Sequence, residues 1–226
     1  RLWPNSKNHQ AKQFIDFGSW TLLGKTLERT KASIFDAPVI STNKKYLKQI
    51  KQHLRKYKIN NYKIVLEPAK RNTAPAILST ALIKDIPDNQ PLMFFSADHL
   101  IEKMSIFNKA INKNKKNLSD QNIFIFGIKP SSPSSEYGYF LTKKIKGNIN
   151  KVTRFIEKPK EAKAKQIIKN KGYWNSGMFY LRKDSIINNF KKYQPKTYRN
   201  CLDAVSKAKY KACLLYTSPS PRDRIA

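Results

Sequence analysis

The sequence predicts an α/β fold built on a mostly parallel sheet. Three observations carry that prediction. Short β-rich runs alternate with longer amphipathic stretches, the pattern of strand and helix repeats. Within one such stretch Leu47, Ile50 and Leu54 recur at spacings of three and four, as a single buried helix face requires. The segment Ser96-Ala97-Asp98-His99 sits where an apolar strand is expected to end, and in open α/β sheets that end is where ligands bind.

In chain order the runs rich in β-branched and aromatic residues predict strands at Pro38–Thr42, Lys63–Glu67, Leu92–Ala97 and Ile123–Ile128. Later strands are expected at Tyr137–Thr142, Val152–Glu157 and Met178–Leu181. The stretches with helical periodicity are Thr21–Lys31, Lys44–Tyr57, Ala74–Ile86, Ile106–Asn117, Glu161–Asn170 and Asp184–Lys192. Asn72 and Thr73 suit a helix cap, and Ala74-Pro75 suits a first turn. No internal repeat or long linker interrupts the pattern.

The chain of 226 residues is 40% apolar, enough for one sizeable core, so a single domain is the default expectation. No stretch approaches the ~18 uninterrupted apolar residues of a membrane span, which argues against a membrane partner. The start, Arg1-Leu2-Trp3-Pro4, lacks the apolar run of a signal peptide, and residues are expected to precede it. Cys201 and Cys213 form no close-spaced pair and make neither a disulfide framework nor a zinc site, which fits a reducing cytoplasm.

The net charge of +30 raises a polyanion- or RNA-binding module as a rival reading. The 45 basic residues are 36 Lys and 9 Arg, and Lys, Asn and Ile are abundant together, as an A- and T-rich coding bias would produce. Arginine is the better fork for phosphate and base edges, and here it is scarce. Arginines and aromatics do not interleave, so no nucleic-acid partner is expected. The last segment, residues 212–226, loses Lys and becomes Ser/Pro-rich. It reads as a foreign or frame-shifted tail, or else as a natural Pro-rich loop. Residues 1–211 carry the functional segments.

Several segments stand out in order. Arg1-Leu-Trp-Pro-Asn-Ser-Lys-Asn-His-Gln-Ala-Lys-Gln-Phe14 is followed by Leu66-Glu-Pro-Ala-Lys-Arg-Asn-Thr-Ala-Pro-Ala76 and Ala97-Asp-His99. Then come Phe126-Gly-Ile-Lys-Pro130 with Tyr137-Gly-Tyr139, and Phe155-Ile-Glu-Lys-Pro159 with Trp174-Asn-Ser-Gly-Met-Phe179. Together they resemble the bacterial mannose-1-phosphate guanylyltransferase family, including its two-domain relatives that also isomerise mannose 6-phosphate. The resemblance covers roughly residues 1–210. It implies a Rossmann-like, GT-A-like nucleotidyltransferase fold: a mixed, mainly parallel sheet between helical layers. It also implies GTP and mannose 1-phosphate as substrates and Mg²⁺ as cofactor. It leaves a homo-oligomer and a different sugar or base open. The family's glycine-rich turn would precede Arg1, and its second metal-binding carboxylate has no match after Lys211. The chain by itself is therefore expected to be inactive or nearly so.

The resemblance assigns roles residue by residue. Arg1 and Lys12 match the basic pair that holds the triphosphate, where cations must meet charge moving onto pyrophosphate. Lys7 replaces a usual arginine and can still bind phosphate as a point charge. Ala11 stands where the family usually has proline. Asp98 is the metal candidate, because a hard cation prefers oxygen; its plain alternative is a cap on the next turn. His99 beside it suits packing or structural hydrogen bonding. Glu67 is the candidate for reading guanine, whose N1–H and N2–H₂ donors match a carboxylate. Arg71 and Asn72 complete that nucleotide segment. On the sugar side Glu157 accepts hydrogen bonds from hydroxyls, Lys158 binds the sugar phosphate and Asn175 offers a donor and an acceptor. Gly138 lets a backbone N–H approach closely. Trp174 reads as core packing ahead of a stacking platform, and Glu157 has an ordinary surface ion pair as its alternative. The substrate supplies its own anionic nucleophile, so no catalytic Ser, Cys or His is needed.

Overall fold

The computed structural model describes residues 11–67, 73–146, 149–211 and 214–216. The chain folds as two compact units, one of Arg1–Ile123 with Leu181–Ala226 and one of Phe124–Tyr180.

In the first unit β1 (Val39–Asn43) lies parallel to β2 (Lys63–Glu67), with Val39 opposite Lys63 and Asn43 opposite Glu67. On its other side β2 pairs in parallel with β9 (Leu214–Tyr216), which pairs antiparallel with β8 (Lys209–Lys211). The sheet order is β1-β2-β9-β8. β2 is central and buried on both faces, which explains its unbroken apolar run. Ile64 and Leu66 face a core of Phe14, Leu23, Leu27, Ile50, Leu54 and Tyr57. Val65 points the other way, onto Ile83.

Helix α1 (Leu22–Arg29) is capped by Thr21, whose hydroxyl oxygen accepts from the Gly24 N–H at 2.9 Å. Helix α2 (Leu47–Lys56) buries Ile50 and Leu54 on one face, as the spacing predicts. Helix α3 (Thr73–Ala81) follows β2, and β3 (Pro91–Phe94) and α4 (Met104–Asn114) follow in turn. After the second unit the chain returns through α6 (Lys183–Tyr193) and α7 (Pro195–Ser206), which pack against α3 and each other.

The second unit begins in β4 (Ile123–Ile128) and contains β5 (Tyr139–Lys146), β6 (Ile149–Ile156) and α5 (Glu161–Lys169). It ends in β7 (Tyr173–Arg182), which pairs with β4. Here β5 pairs antiparallel with both β6 and β7. Lys146 lies opposite Ile149, so two residues separate the strands and no crossover is available for a parallel pair. The parallel pairs β1–β2 and β2–β9 lie in the first unit, and the fold as a whole is the mixed α/β kind that the sequence predicts. Tyr139, Ala164 and Ile167 form the buried core of this unit.

Several boundaries differ from the sequence expectation. The strand expected to reach Ala97 ends at Phe94, and residues 97 and 98 form a turn. The helix expected to reach Ile86 ends at Ala81. Beyond it Lys183, 5% exposed, donates to the carbonyls of Ile83 at 3.3 Å and Ile86. β5, β6 and β7 are longer than expected: the Lys-rich ends of β5 and β6 follow backbone pairing without apolar alternation, and β7 reaches back to Tyr173 and Trp174, which pair with β5. α7 was not expected; its Pro195 sits in the first turn, where its missing N–H costs nothing. β9 lies within residues 212–226, the segment that reads as a tail. No helix among the described residues is long and apolar enough to cross a membrane.

Candidate functional site

In the first unit the site is built on the loop after β3. Asp98 accepts a hydrogen bond from the Ser96 hydroxyl on Oδ1 and pairs with the Lys12 ammonium through Oδ2. The Asp98 side chain is 15% exposed and that of Lys12 57%. Lys12 opens a short 3₁₀ turn, Lys12–Phe14, anchored by the burial of Phe14. Burial pushes the Asp98 carboxyl upward, but the hydrogen bonds from Lys12 and Ser96 and the Lys12 charge outweigh it. The carboxyl is held below its ordinary value. His99 Nε2 lies 3.9 Å from Asp98 Oδ1. Burial, helped by Arg29 and Lys12, lowers its pKa against the pull of Asp98, so the ring is neutral at pH 7.

Beneath this loop lies Arg29, 4% exposed, which the sequence reading did not single out. It donates from Nη2 to the His99 carbonyl at 2.7 Å, and its guanidinium lies 5.3 Å from the Phe95 ring centroid. The available signal was weak: one of nine arginines in a lysine-rich chain, at a helix end.

Glu67 ends β2. Its Oε1 accepts from the Ser41 hydroxyl, and its backbone carbonyl accepts from Asn43 Nδ2 at 3.2 Å. Both partners sit on the adjacent strand β1, so parallel pairing orients this carboxylate. Arg1, Lys7, Arg71 and Asn72 lie outside the described residues.

In the second unit strand register assembles the other candidates. Tyr139 lies opposite Ile156 on one side and Trp174 on the other. Gly138, Glu157 and Asn175 are the next residues along these three antiparallel strands, and so fall in one row. The Asn175 N–H donates to the Gly138 carbonyl at 2.8 Å. A Cβ on Gly138 would stand 2.8 Å from Glu157 Oε2 and 3.0 Å from Phe155 Cζ, so a larger residue there would displace that carboxylate from its present position. Glu157 is exposed, and no ion pair holds it among the described residues. Asn175 Oδ1 accepts from the Gly177 N–H at 3.1 Å, which leaves Nδ2 as the donor for a ligand hydroxyl. Lys158 takes φ 40°, a left-handed conformation that a residue with a Cβ rarely adopts. Trp174 packs against the Tyr139 cluster and lies 4.9 Å from the Tyr137 ring, which is the packing role expected of it.

The family model described as "Nucleotidyl transferase" matches residues 1–218. The chain belongs to the nucleotidyl transferase family. Among curated relatives it is similar to a mannose-1-phosphate guanylyltransferase, RfbM, of Salmonella typhimurium, at 34% identity over 91% of this chain and 44% of that protein. It is similar also to the alginate biosynthesis protein AlgA of Pseudomonas fluorescens, at 32% identity over 89% of this chain and 43% of that protein. The chain thus spans less than half the length of these relatives. Among solved structures it resembles a mannose-6-phosphate isomerase from Helicobacter pylori, with TM-score 0.80 and 29% identity, over 92% of this chain and 81% of that one. The fold of this nucleotidyl transferase chain is therefore an established one. The match ends at residue 218, inside the Ser/Pro-rich segment and just past β9.

What the geometry can do follows from the donors present. Asp98 already orients an oxygen towards a cation, the Lys12 ammonium. No cluster of three or more His, Cys, Asp or Glu is found among the described residues. A single carboxylate suits Mg²⁺, which keeps several waters and takes its remaining oxygens from phosphates. It does not suit zinc, which asks for three or four nitrogen, sulfur or oxygen ligands from the protein. The Asp98 carboxylate has the chemistry to bind a divalent cation together with a nucleotide.

Proposed function

We propose that this protein transfers a guanylyl group from GTP to mannose 1-phosphate, giving GDP-mannose and pyrophosphate. The observation that carries the reading is the Asp98–Lys12 pair in a chain of this family. A carboxylate of the kind that binds Mg²⁺ lies beside an exposed ammonium of the kind that binds phosphate. The relatives named for mannose-1-phosphate guanylyltransferase supply the choice of sugar and base.

In the proposed reaction a phosphate oxygen of mannose 1-phosphate attacks the α-phosphorus of GTP. A new P–O bond forms there, and the bond to the bridging oxygen breaks as pyrophosphate leaves. The chain's own part is positioning and charge neutralisation. Asp98 would hold the metal, which when bound spreads positive charge over phosphate oxygens. Lys12, with Arg1 and Lys7, meets the β- and γ-phosphates. Glu67, held by Ser41, accepts from the guanine edge, with Arg71 and Asn72 in the same segment. Glu157 and Asn175 take sugar hydroxyls, the Gly138 backbone sits close to the ring, and Lys158 takes the sugar phosphate. His99 is neutral and is assigned no proton transfer. GTP, Mg²⁺ and a cytoplasmic setting all belong to this proposal.

A pyrophosphate-release assay with GTP, mannose 1-phosphate and Mg²⁺ tests it, on this chain and on one carrying the family's flanking segments. Release that requires all three components supports the reading. Equal release with glucose 1-phosphate or ATP would move the specificity elsewhere. Conversion of mannose 6-phosphate without GTP would favour the activity in the Helicobacter protein's name.

A further inference from the structure

We infer that Arg29 is a positioning residue for Asp98, clamping the loop that carries it from both ends. The inference rests on the proposed role of Asp98 and adds a residue to it. Arg29 closes α1, where the chain could have placed an apolar side chain on the same buried face. Instead it buries a guanidinium to 4% exposure. Desolvation lowers its pKa, but the group stays cationic because its ordinary value is so high.

Its contacts bracket the loop. At the near end the guanidinium lies over the ring of Phe95, the first residue after β3, 5.3 Å from its centroid. At the far end Nη2 donates to the His99 carbonyl at 2.7 Å. Phe95 is fixed further by the rings of Phe35 and Phe107, at 5.5 and 5.9 Å between centroids. Ser96, Ala97 and Asp98 are what remains between the two points. Nη2 also meets Thr26 Oγ1 at 3.4 Å, while Nε and Nη1 have no partner among the described residues.

A buried charge with unmet donors costs stability. Such a cost is out of place in a position needed only for packing, and it is the mark of a position kept for function. The carbonyl that Arg29 holds belongs to the residue beside Asp98, so the clamp sets where the Asp98 carboxylate sits. A planar donor lying over a ring can do this with little loss of side-chain freedom, and lysine cannot match it.

The test uses the full chain as wild type, Arg29→Met, Arg29→Lys and Asp98→Asn. Amide hydrogen exchange is followed residue by residue, and GTP binding is measured by calorimetry with and without Mg²⁺, no sugar phosphate being present. Arg29→Met should speed exchange across residues 95–99 by about 10-fold or more while β2 and α2 keep their protection. It should also lose most of the Mg²⁺-dependent part of GTP affinity. Arg29→Lys, which keeps a donor and a charge, should fall between it and wild type. If Arg29→Met does not fold, Arg29→Lys decides by the same two readouts. Unchanged exchange in the loop, or uniform loosening of the whole chain in both variants, overturns the inference. If Asp98→Asn leaves Mg²⁺-dependent GTP binding intact, it is the functional reading that fails, and the exchange result still reports on the clamp.

Discussion

The ammonium of Lys12 and the carboxylate of Asp98 form an ion pair that joins the first described turn of the chain to the loop after β3. Both groups are assigned to a nucleotide and its metal, yet without them each neutralises the other. On the proposed reading, Lys12 exchanges Asp98 for phosphate when the nucleotide binds. Lys12→Met should therefore weaken GTP binding, by about 10- to 100-fold for loss of one charge-assisted contact. Calorimetry at low and high salt checks this, and an equal affinity would remove Lys12 from the phosphate site.

The same pair has a pH signature. The folded-state pKa of Asp98 lies below its ordinary value of 3.8. The carboxylate thus contributes stability that is present above the ordinary value and is lost as pH falls through the lower folded one. Wild type should lose stability faster than Asp98→Asn below about pH 4. Half of the pair is well exposed, so salt should shrink the difference. Denaturant melts at several pH values measure it; parallel acid curves would show that the pair contributes nothing.

Gly138→Ala should push a methyl group against Glu157 Oε2, where the gap is 2.8 Å. The mannose 1-phosphate KM should rise by about 10-fold or more, and GTP binding should barely change. Glu157→Ala should act in the same direction, since it removes a charged partner worth about 2–4 kcal/mol. Equal effects on both substrates would count against the sugar assignment.

Glu67→Gln should erode the preference for GTP over ATP by about 10–100-fold. Ser41→Ala should do the same more weakly, because it frees the carboxylate to turn. Competition binding with the two nucleotides reads this directly. Unchanged discrimination in Glu67→Gln would place the base reader on another residue.

Lys183→Met tests the fold alone. It strips the donor from the carbonyls of Ile83 and Ile86 in a buried place. The cost should be about 1–3 kcal/mol. At roughly 2–4 °C per kcal/mol for a chain this size, Tm should fall by several degrees. An unchanged melting curve would mean that water replaces the ammonium there.

The sequence by itself determined the alternation of strands and helices, the apolar run of β2 and the one-sided burial of α2. These are local patterns, set by which residues can face water at each period. It also showed the motifs that carry Lys12, Glu67, Asp98, Glu157 and Asn175, because motif order is written along the chain. Tertiary structure alone decided who meets whom. The pairing of Lys12 with Asp98, the Ser41 hydroxyl on Glu67 and the row of Gly138, Glu157 and Asn175 depend on strand register and loop closure. Arg29 went unseen for the same reason: in sequence it is one more cation at a helix end, and only the packing of α1 under the loop after β3 makes it the donor to the His99 carbonyl. Helix α7 and the extended ends of β5 and β6 escaped too. Helix α7 buries Cys201 and Val205 and packs against α3 and α6, while the strand ends are held by backbone hydrogen bonds to a neighbouring strand, which no single stretch of sequence encodes.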